Sequence, residues 1–342
     1  MSEIASVTVM GAGATGGYLA AVLTKAGVPV TVIARGSNLE QIRSDGIKLE
    51  HADGEREVVR LENVLPVEEV DVPADLVLFC VKSYSTVGAA ADLVSLVSDK
   101  GRVVCLQNGM RNEQILAAAV GKSRLLSGIL YIAAERLSPG IIRCSVAPSL
   151  IVGPYTGTDL GASSDVQALL DNANISCRVE PDTNAMKWQK FLFNCGLNPL
   201  TAITKKRLGD LLATPETAEV FQTLVTEAAT VALAAGAPLA ADYQQQVDDT
   251  AKRMDISSSM AEDLTAGREI ELDAFTGYVI ELGTTHNVPT PVTRTLHGLL
   301  VALSNAGLPP TAHTPQALQN LHSLTRRKHH TSWPGIARLK VP

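Results

Sequence analysis

Six residues near the start, Gly11-Ala12-Gly13-Ala14-Thr15-Gly16, constrain this chain more than any others. They follow the short β-branched run Val7-Thr8-Val9-Met10 and precede the apolar-periodic segment Tyr18 to Ala26, which Gly27 stops. Val30-Thr31-Val32-Ile33-Ala34 then reads as a second strand. Glycine-rich hexamers alone are common turns. Between a strand and a helix, inside a βαβ unit of about 30 residues, the G-x-G-x-x-G spacing has a physical meaning. The first glycine allows the tight turn, the second lets a pyrophosphate approach the backbone, and the third lets helix and strand pack closely. The diphosphate then rests on the positive end of the helix. The pattern predicts a dinucleotide site on Gly11, Ala12, Gly13, Ala14, Thr15 and Gly16.

The end of the second strand discriminates between dinucleotides. NAD sites place an acid there to hold the ribose 2′-hydroxyl. Here the sequence is Ala34-Arg35-Gly36-Ser37-Asn38, without an acid. A guanidinium at Arg35 pairs with a 2′-phosphate, and Ser37 and Asn38 offer further hydrogen bonds, which favours NADP(H). The bland alternative is a solvated surface arginine.

Further strand-like runs lie at 76–81, 103–106 and 125–132, with helical segments at 86–97 and 112–120. Alternating strands and helices predict a parallel sheet covered on both faces. After the strand-like run 175–179 nearly everything to Leu324 is helix-like. Thr214-Pro215-Glu216 opens one helix, and Ser257-Ser258-Ser259 is a candidate cap for another. Residues 269–285 read as a single long helix. The expected fold class is α/β: a Rossmann-type dinucleotide-binding domain over residues 1–181, followed by an all-α domain over 182–325 and an irregular tail over 326–342.

Bulk properties exclude several classes. The 342 residues are 46% hydrophobic and 19% charged, too apolar for a disordered chain. The net charge of −6 disfavours nucleic-acid binding, and the basic cluster Arg326 to His330 reads as a solvated tail. Five cysteines without CxxC spacing suit reduced thiols, not disulfides, and suggest no metal site. The first residues lack a basic signal-peptide region, and the apolar stretch Ala228 to Ala241 is too short and interrupted to span a bilayer. The expectation is a cytoplasmic protein, monomer or homodimer, that acts on a small molecule.

A second pattern bears on chemistry. Lys190, Asn194 and Asn198 are spaced i, i+4, i+8 among Phe191, Leu192, Phe193, Cys195 and Leu197. On a helix they fall within about 80° of arc, a polar stripe on an apolar element. Pro199 places Asn198 at or near the helix end. The stripe reads either as a solvent-exposed face or as one wall of a cleft whose polar ligand supplies the missing partners.

Taken in order, the glycine motif, Val81-Lys82-Ser83, Gln107-Asn108-Gly109-Met110, Lys190 to Cys195, Asn198 to Ala202, Ser258-Ser259-Met260 and Glu269 to Asp273 resemble the ketopantoate reductase (2-dehydropantoate 2-reductase) family over residues 5 to 325. The resemblance implies NADPH-dependent reduction of 2-dehydropantoate to D-pantoate, on the way to pantothenate and coenzyme A. It implies that Lys190 is the general acid, that Asn194, Asn198 and Ser259 hold the substrate, and that Glu271 supports catalysis at the nicotinamide end. It further implies cofactor contacts from Lys82, Asn108 and the Ala134 backbone. On the residues alone Glu271 reads as a surface acid in the first turn of a helix. Where some relatives carry Asn-Gly-Glu-Leu, this chain has Leu208-Gly209-Asp210-Leu211, so one substrate hydrogen bond is absent or replaced. Reduction of another branched or aromatic 2-oxo acid, or a non-catalytic NADP-binding sensor, therefore stays open.

Overall fold

The computed structural model describes residues 4–305. The sheet begins with β1 (Val7–Met10), all four residues buried, followed by α1 (Ala14–Lys25) and β2 (Val30–Ile33). The chain continues through α2 (Gly36–Asp45), β3 (Ile47–His51), β4 (Arg56–Val59), β5 (Asn63–Leu65), β6 (Ala74–Phe79), α3 (Thr86–Leu96), β7 (Val97–Cys105) and α4 (Asn112–Val120). A long hairpin, β8 (Leu125–Ser138) and β9 (Ile141–Pro154), comes next, then α5 (Gly161–Asn172) and β10 (Ser176–Val179).

The strand order is β4-β3-β9-β8-β7-β6-β1-β2-β5, with β10 also on β9. Around β1 the ladder is parallel on both sides. The chain runs from β1 to β2 on one side and later returns to β6 on the other, which makes the carboxyl end of β1 a topological switch point. The expectation of an all-parallel sheet fails at the other edge. There β8 pairs antiparallel with β9, and β3 antiparallel with β4. Only Pro139 and Gly140 join β8 to β9, a hairpin connection far too short for the crossover that parallel strands need. Two apolar clusters cover the sheet's faces, one holding Leu19, Leu23, Ile47 and Val152, the other Phe79, Leu93 and Leu116.

The helical part comprises α6 (Asn184–Thr204), α7 (Leu208–Ala213), α8 (Pro215–Ala234), α9 (Tyr243–Arg253), α10 (Ser259–Thr265), α11 (Thr276–Thr285) and α12 (Pro291–Asn305). Its core packs α6 against α8, where Gly196 lies under the Phe221 ring. As expected, Pro215 opens α8. Ser258 caps α10 by accepting from the Ala261 amide at 3.1 Å.

Two helix boundaries differ from expectation. α6 runs through Pro199 to Thr204, so Asn198 is inside the helix, not at its end. Proline removes one backbone donor. Burial of Leu197, Leu200 and Ala202 in the helical core favours the unbroken helix nonetheless. Residues 269–285 are not one helix. Leu272–Ala274 forms a short 3-10 turn and Phe275 leaves helical geometry at φ −126°, ψ −91°. Phe275 is wholly buried and stacks on Phe191 at 6.2 Å, an anchor that outweighs continuity of the helix. Among the described residues no helix is long and apolar enough to cross a membrane. All five cysteines are free, and four are buried. The expected tail at 326–342 lies outside the described residues.

Candidate active site

The glycine loop follows from its local geometry. Gly11 adopts φ +106° directly after β1, a conformation that disfavours a side chain. At Gly16 a Cβ would stand 2.0 Å from the Gly11 carbonyl and 3.0 Å from Cys80 Cβ, so helix and sheet can approach only with glycine there. At Gly13 an added Cβ would meet nothing within 4 Å. The loop and the amino end of α1 therefore face open space, and Gly11 to Thr15 line a cleft of about 760 Å³. Gly16 lies beneath them. This arrangement fits a diphosphate on the end of a helix.

Asn38 holds the loop from behind. Its Nδ2 donates to the Ala12 carbonyl at 2.7 Å, and its Oδ1 accepts from the Gly140 amide at 2.9 Å. It is buried and committed to the backbone, which corrects its expected role beside a ribose phosphate. Arg35, exposed at the start of α2, does line the cleft rim. Glu68 and Asp92 line the same end. Burial and Glu68 push the Asp92 carboxyl up, and Arg35 opposes them.

Across the cleft stand α10 and the extended stretch before the 3-10 turn. Lys82, just beyond β6, donates to Asp263 at 2.6 Å and to Glu271 at 3.1 Å. Glu271 also accepts from the Ser83 amide at 2.8 Å, and Arg268 donates to Asp263 at 2.7 Å. Burial pulls the Lys82 pKa down, but the Glu271 and Asp263 carboxylates outweigh it and hold the ammonium well above its usual range. Glu271 is buried, not a surface acid in a helix turn, because it spans from the helical part to the sheet. Glu262 also faces the cleft, and burial, Glu135 and Asp263 push its carboxyl to about 7. Ser259 and Ala134 line this cleft as well.

A smaller recess adjoins it, lined by Lys190, Asn194, Lys187 and Phe191 from α6 and by Gly128 and Ile129 from β8. Lys190 Nζ donates to the Leu130 carbonyl at 2.6 Å and stands 5.2 Å from the Tyr131 ring centre. Burial first, then the Lys187 charge, bring its pKa from 10.5 to about 7. Gln107 and Asn108 line both spaces. Gln107 donates to the Val81 carbonyl at 2.8 Å and to Thr86 at 2.7 Å, which fixes the turn carrying Asn108. Asn198 lines neither space and is 3% exposed on α6. Asp263, Arg268 and Glu262 were missed in the sequence. Asp263 had a signal: it lies four residues after Ser259, one helical turn on.

The described residues thus define a class: a dinucleotide-type α/β sheet followed by a helical part, with a lysine-bearing helix set against β8 and the turn after β7. Family models for "Ketopantoate reductase PanE/ApbA" and its C-terminal part match residues 7–157 and 182–304. The 2-dehydropantoate 2-reductase of Halobacterium salinarum is 32% identical, covering 86% of this chain and 97% of that protein. The chain belongs to the ketopantoate reductase family of oxidoreductases. The crystal structure of a PanE/ApbA family ketopantoate reductase from Ralstonia eutropha superposes with a TM-score of 0.79 at 30% identity, over 88% of this chain and 99% of that one. The structure of D-mandelate dehydrogenase with NADH and anilino(oxo)acetate shares the fold, with a TM-score of 0.81 at 22% identity over 88% of this chain and 99% of that one.

Proposed function

We propose that this protein reduces 2-dehydropantoate to D-pantoate with NADPH, serving pantothenate and coenzyme A formation. The observation that carries the reading is the shared wall of Gln107 and Asn108 between the dinucleotide cleft and the Lys190 recess. A cofactor laid along the glycine loop, with Arg35 on its 2′-phosphate and Lys82, Ala134 and Glu271 along its length, would end at Asn108. The bound cofactor supplies the hydride that reaches the 2-oxo carbon.

Negative charge then grows on the carbonyl oxygen and needs a proton. Lys190 is the donor: its ammonium polarises the carbonyl, gives up one proton as the alkoxide forms, and regains one from solvent. A pKa of about 7 makes it an effective acid near neutral pH. To act, it exchanges the Leu130 carbonyl for the substrate oxygen. Asn194 stands beside it in the recess, and Ser259 approaches from the cofactor side. Asn198, deeper on α6, reaches the substrate only if the recess widens as the cofactor-binding domain (1–181) and the helical domain (182–325) adjust around the ligand.

One observation favours a second reading, an aromatic 2-oxo acid. Leu208 is wholly buried and offers no polar group, while Tyr131, 40% exposed, presents a ring beside Lys190. The test is loss of reduced-cofactor absorbance with 2-dehydropantoate and a panel of 2-oxo acids, run with NADPH and with NADH. NADPH-specific turnover of 2-dehydropantoate supports the first reading, and preference for an aromatic acid supports the second. Tight NADPH binding without turnover of any acid overturns both and leaves a sensor.

A further inference from the structure

Lys187 lies on α6 three residues before Lys190 and is 7% exposed. Its ammonium stands 2.5 Å from Glu113, 6% exposed, in the first turn of α4. An apolar pair of similar volume at such a site is often neutral or stabilising, so stability alone gives little reason for a buried ion pair here. The pair is also not remote from the chemistry. Lys187 lines the same recess as Lys190 and Asn194. The other groups in contact with Lys190 are uncharged: the Leu130 carbonyl, the Asn194 and Asn108 amides, and Tyr131, whose phenol burial pushes up against the opposing charge of Arg178. Among the described residues no carboxylate forms an ion pair with Lys190. The groups around the pair itself are Tyr155 and the buried thiol of Cys105, both of which feel its charges.

We propose that Lys187 is a positioning residue for Lys190: a cation anchored by Glu113 whose repulsion makes the neighbouring ammonium a readier proton donor. Residues three apart on a helix share a face, so the two ammonium groups repel across the recess, and loss of a proton from Lys190 relieves that repulsion. Glu113, on an element of the sheet part, fixes the Lys187 ammonium in place, so that it does not take the substrate's carboxylate for itself. Each reduction then passes the Lys190 proton to the new hydroxyl, and solvent restores it, while Lys187 neither gains nor loses one. The inference rests on the reading of Lys190 as the proton donor.

The test is the pH dependence of acylation at Lys190, followed by competitive amine labelling and mass spectrometry. It requires no turnover. Lys187→Met is expected to raise the Lys190 midpoint by about one pH unit, tenfold in proton affinity, and the double variant Lys187→Met/Glu113→Gln, which removes the opposing carboxylate as well, to raise it in the same direction by less. Lys187→Arg keeps the charge and is expected to keep the midpoint within a few tenths of a unit. If the enzyme turns over, the alkaline limb of kcat follows the same shift with little change in KM. A folded Lys187→Met variant with an unmoved midpoint overturns the proposal, as does an arginine variant that behaves like methionine. If the wild type reduces no 2-oxo acid but the labelling midpoints move as stated, the charge coupling stands and only the catalytic reading fails.

Discussion

Replacing Lys190 with methionine should make the protein more stable, and only over a defined pH range. The fall of its pKa from 10.5 to about 7 means that the folded state resists the charge which the unfolded chain accepts freely. At about 1.36 kcal/mol per pH unit this amounts to at most about 5 kcal/mol. Lys190 keeps some contact with solvent, so about 2–4 kcal/mol is the reasonable expectation. Below pH 7 the lysine is protonated in both states and the full cost is present. Between about pH 7 and 10.5 the unfolded state binds the extra proton, so wild-type stability rises relative to the variant until the cost disappears. Methionine fills the same volume without a charge. Urea unfolding of wild type and Lys190→Met at pH 6 and at pH 10 reads the difference directly. A variant gain of about 2–4 kcal/mol at pH 6 that shrinks towards zero at pH 10 is expected. No gain at pH 6, or an equal gain at both pH values, would refute the reasoning.

Three further outcomes are expected. Arg35→Ala should raise the KM for NADPH about 10- to 100-fold, the worth of a charge-assisted hydrogen bond, while leaving that for NADH within about threefold; steady-state kinetics with both cofactors check it. NADPH affinity should weaken as pH rises through about 7, because ionised Glu262 adds a negative charge to the cleft proposed for an anionic cofactor, and Glu262→Gln should flatten the dependence in a fluorescence titration. Asn38→Ala should lower stability by about 2–3 kcal/mol, from two buried hydrogen bonds at about 1–1.5 kcal/mol each, and weaken NADPH binding through the loosened glycine loop; denaturant midpoints and the same titration report on both.

What was legible in the sequence was local. The strand–glycine–helix unit depends on neighbouring residues, and Gly11 and Gly16 occupy positions where a side chain is strained or excluded. The stripe of Lys190 and Asn194 follows from helical periodicity, and the structure places both in one recess. The misreadings have a common origin. Pro199 is a helix breaker by local rules, yet it sits inside α6 because a buried core surrounds it. Glu269 to Thr285 has helical periodicity, yet Phe275 breaks it by inserting beside Phe191. Asn38 carries a side chain suited to a ligand, yet its two partners are backbone groups, one of them 102 residues away.

The sequence by itself determined the βαβ start, the division between alternating and purely helical segments, and the residue types available for proton transfer. Periodicity and backbone sterics act over a few residues, so one dimension suffices to read them. Only the tertiary structure decided which charges meet. Lys82 finds Asp263 and Glu271 across separations of 181 and 189 residues, Lys187 finds Glu113 on another helix, and Lys190 lies against the Leu130 carbonyl and the Tyr131 ring. Burial and charge pairing are properties of space, and the proton affinity of a lysine follows its surroundings in the fold, not its neighbours in the chain.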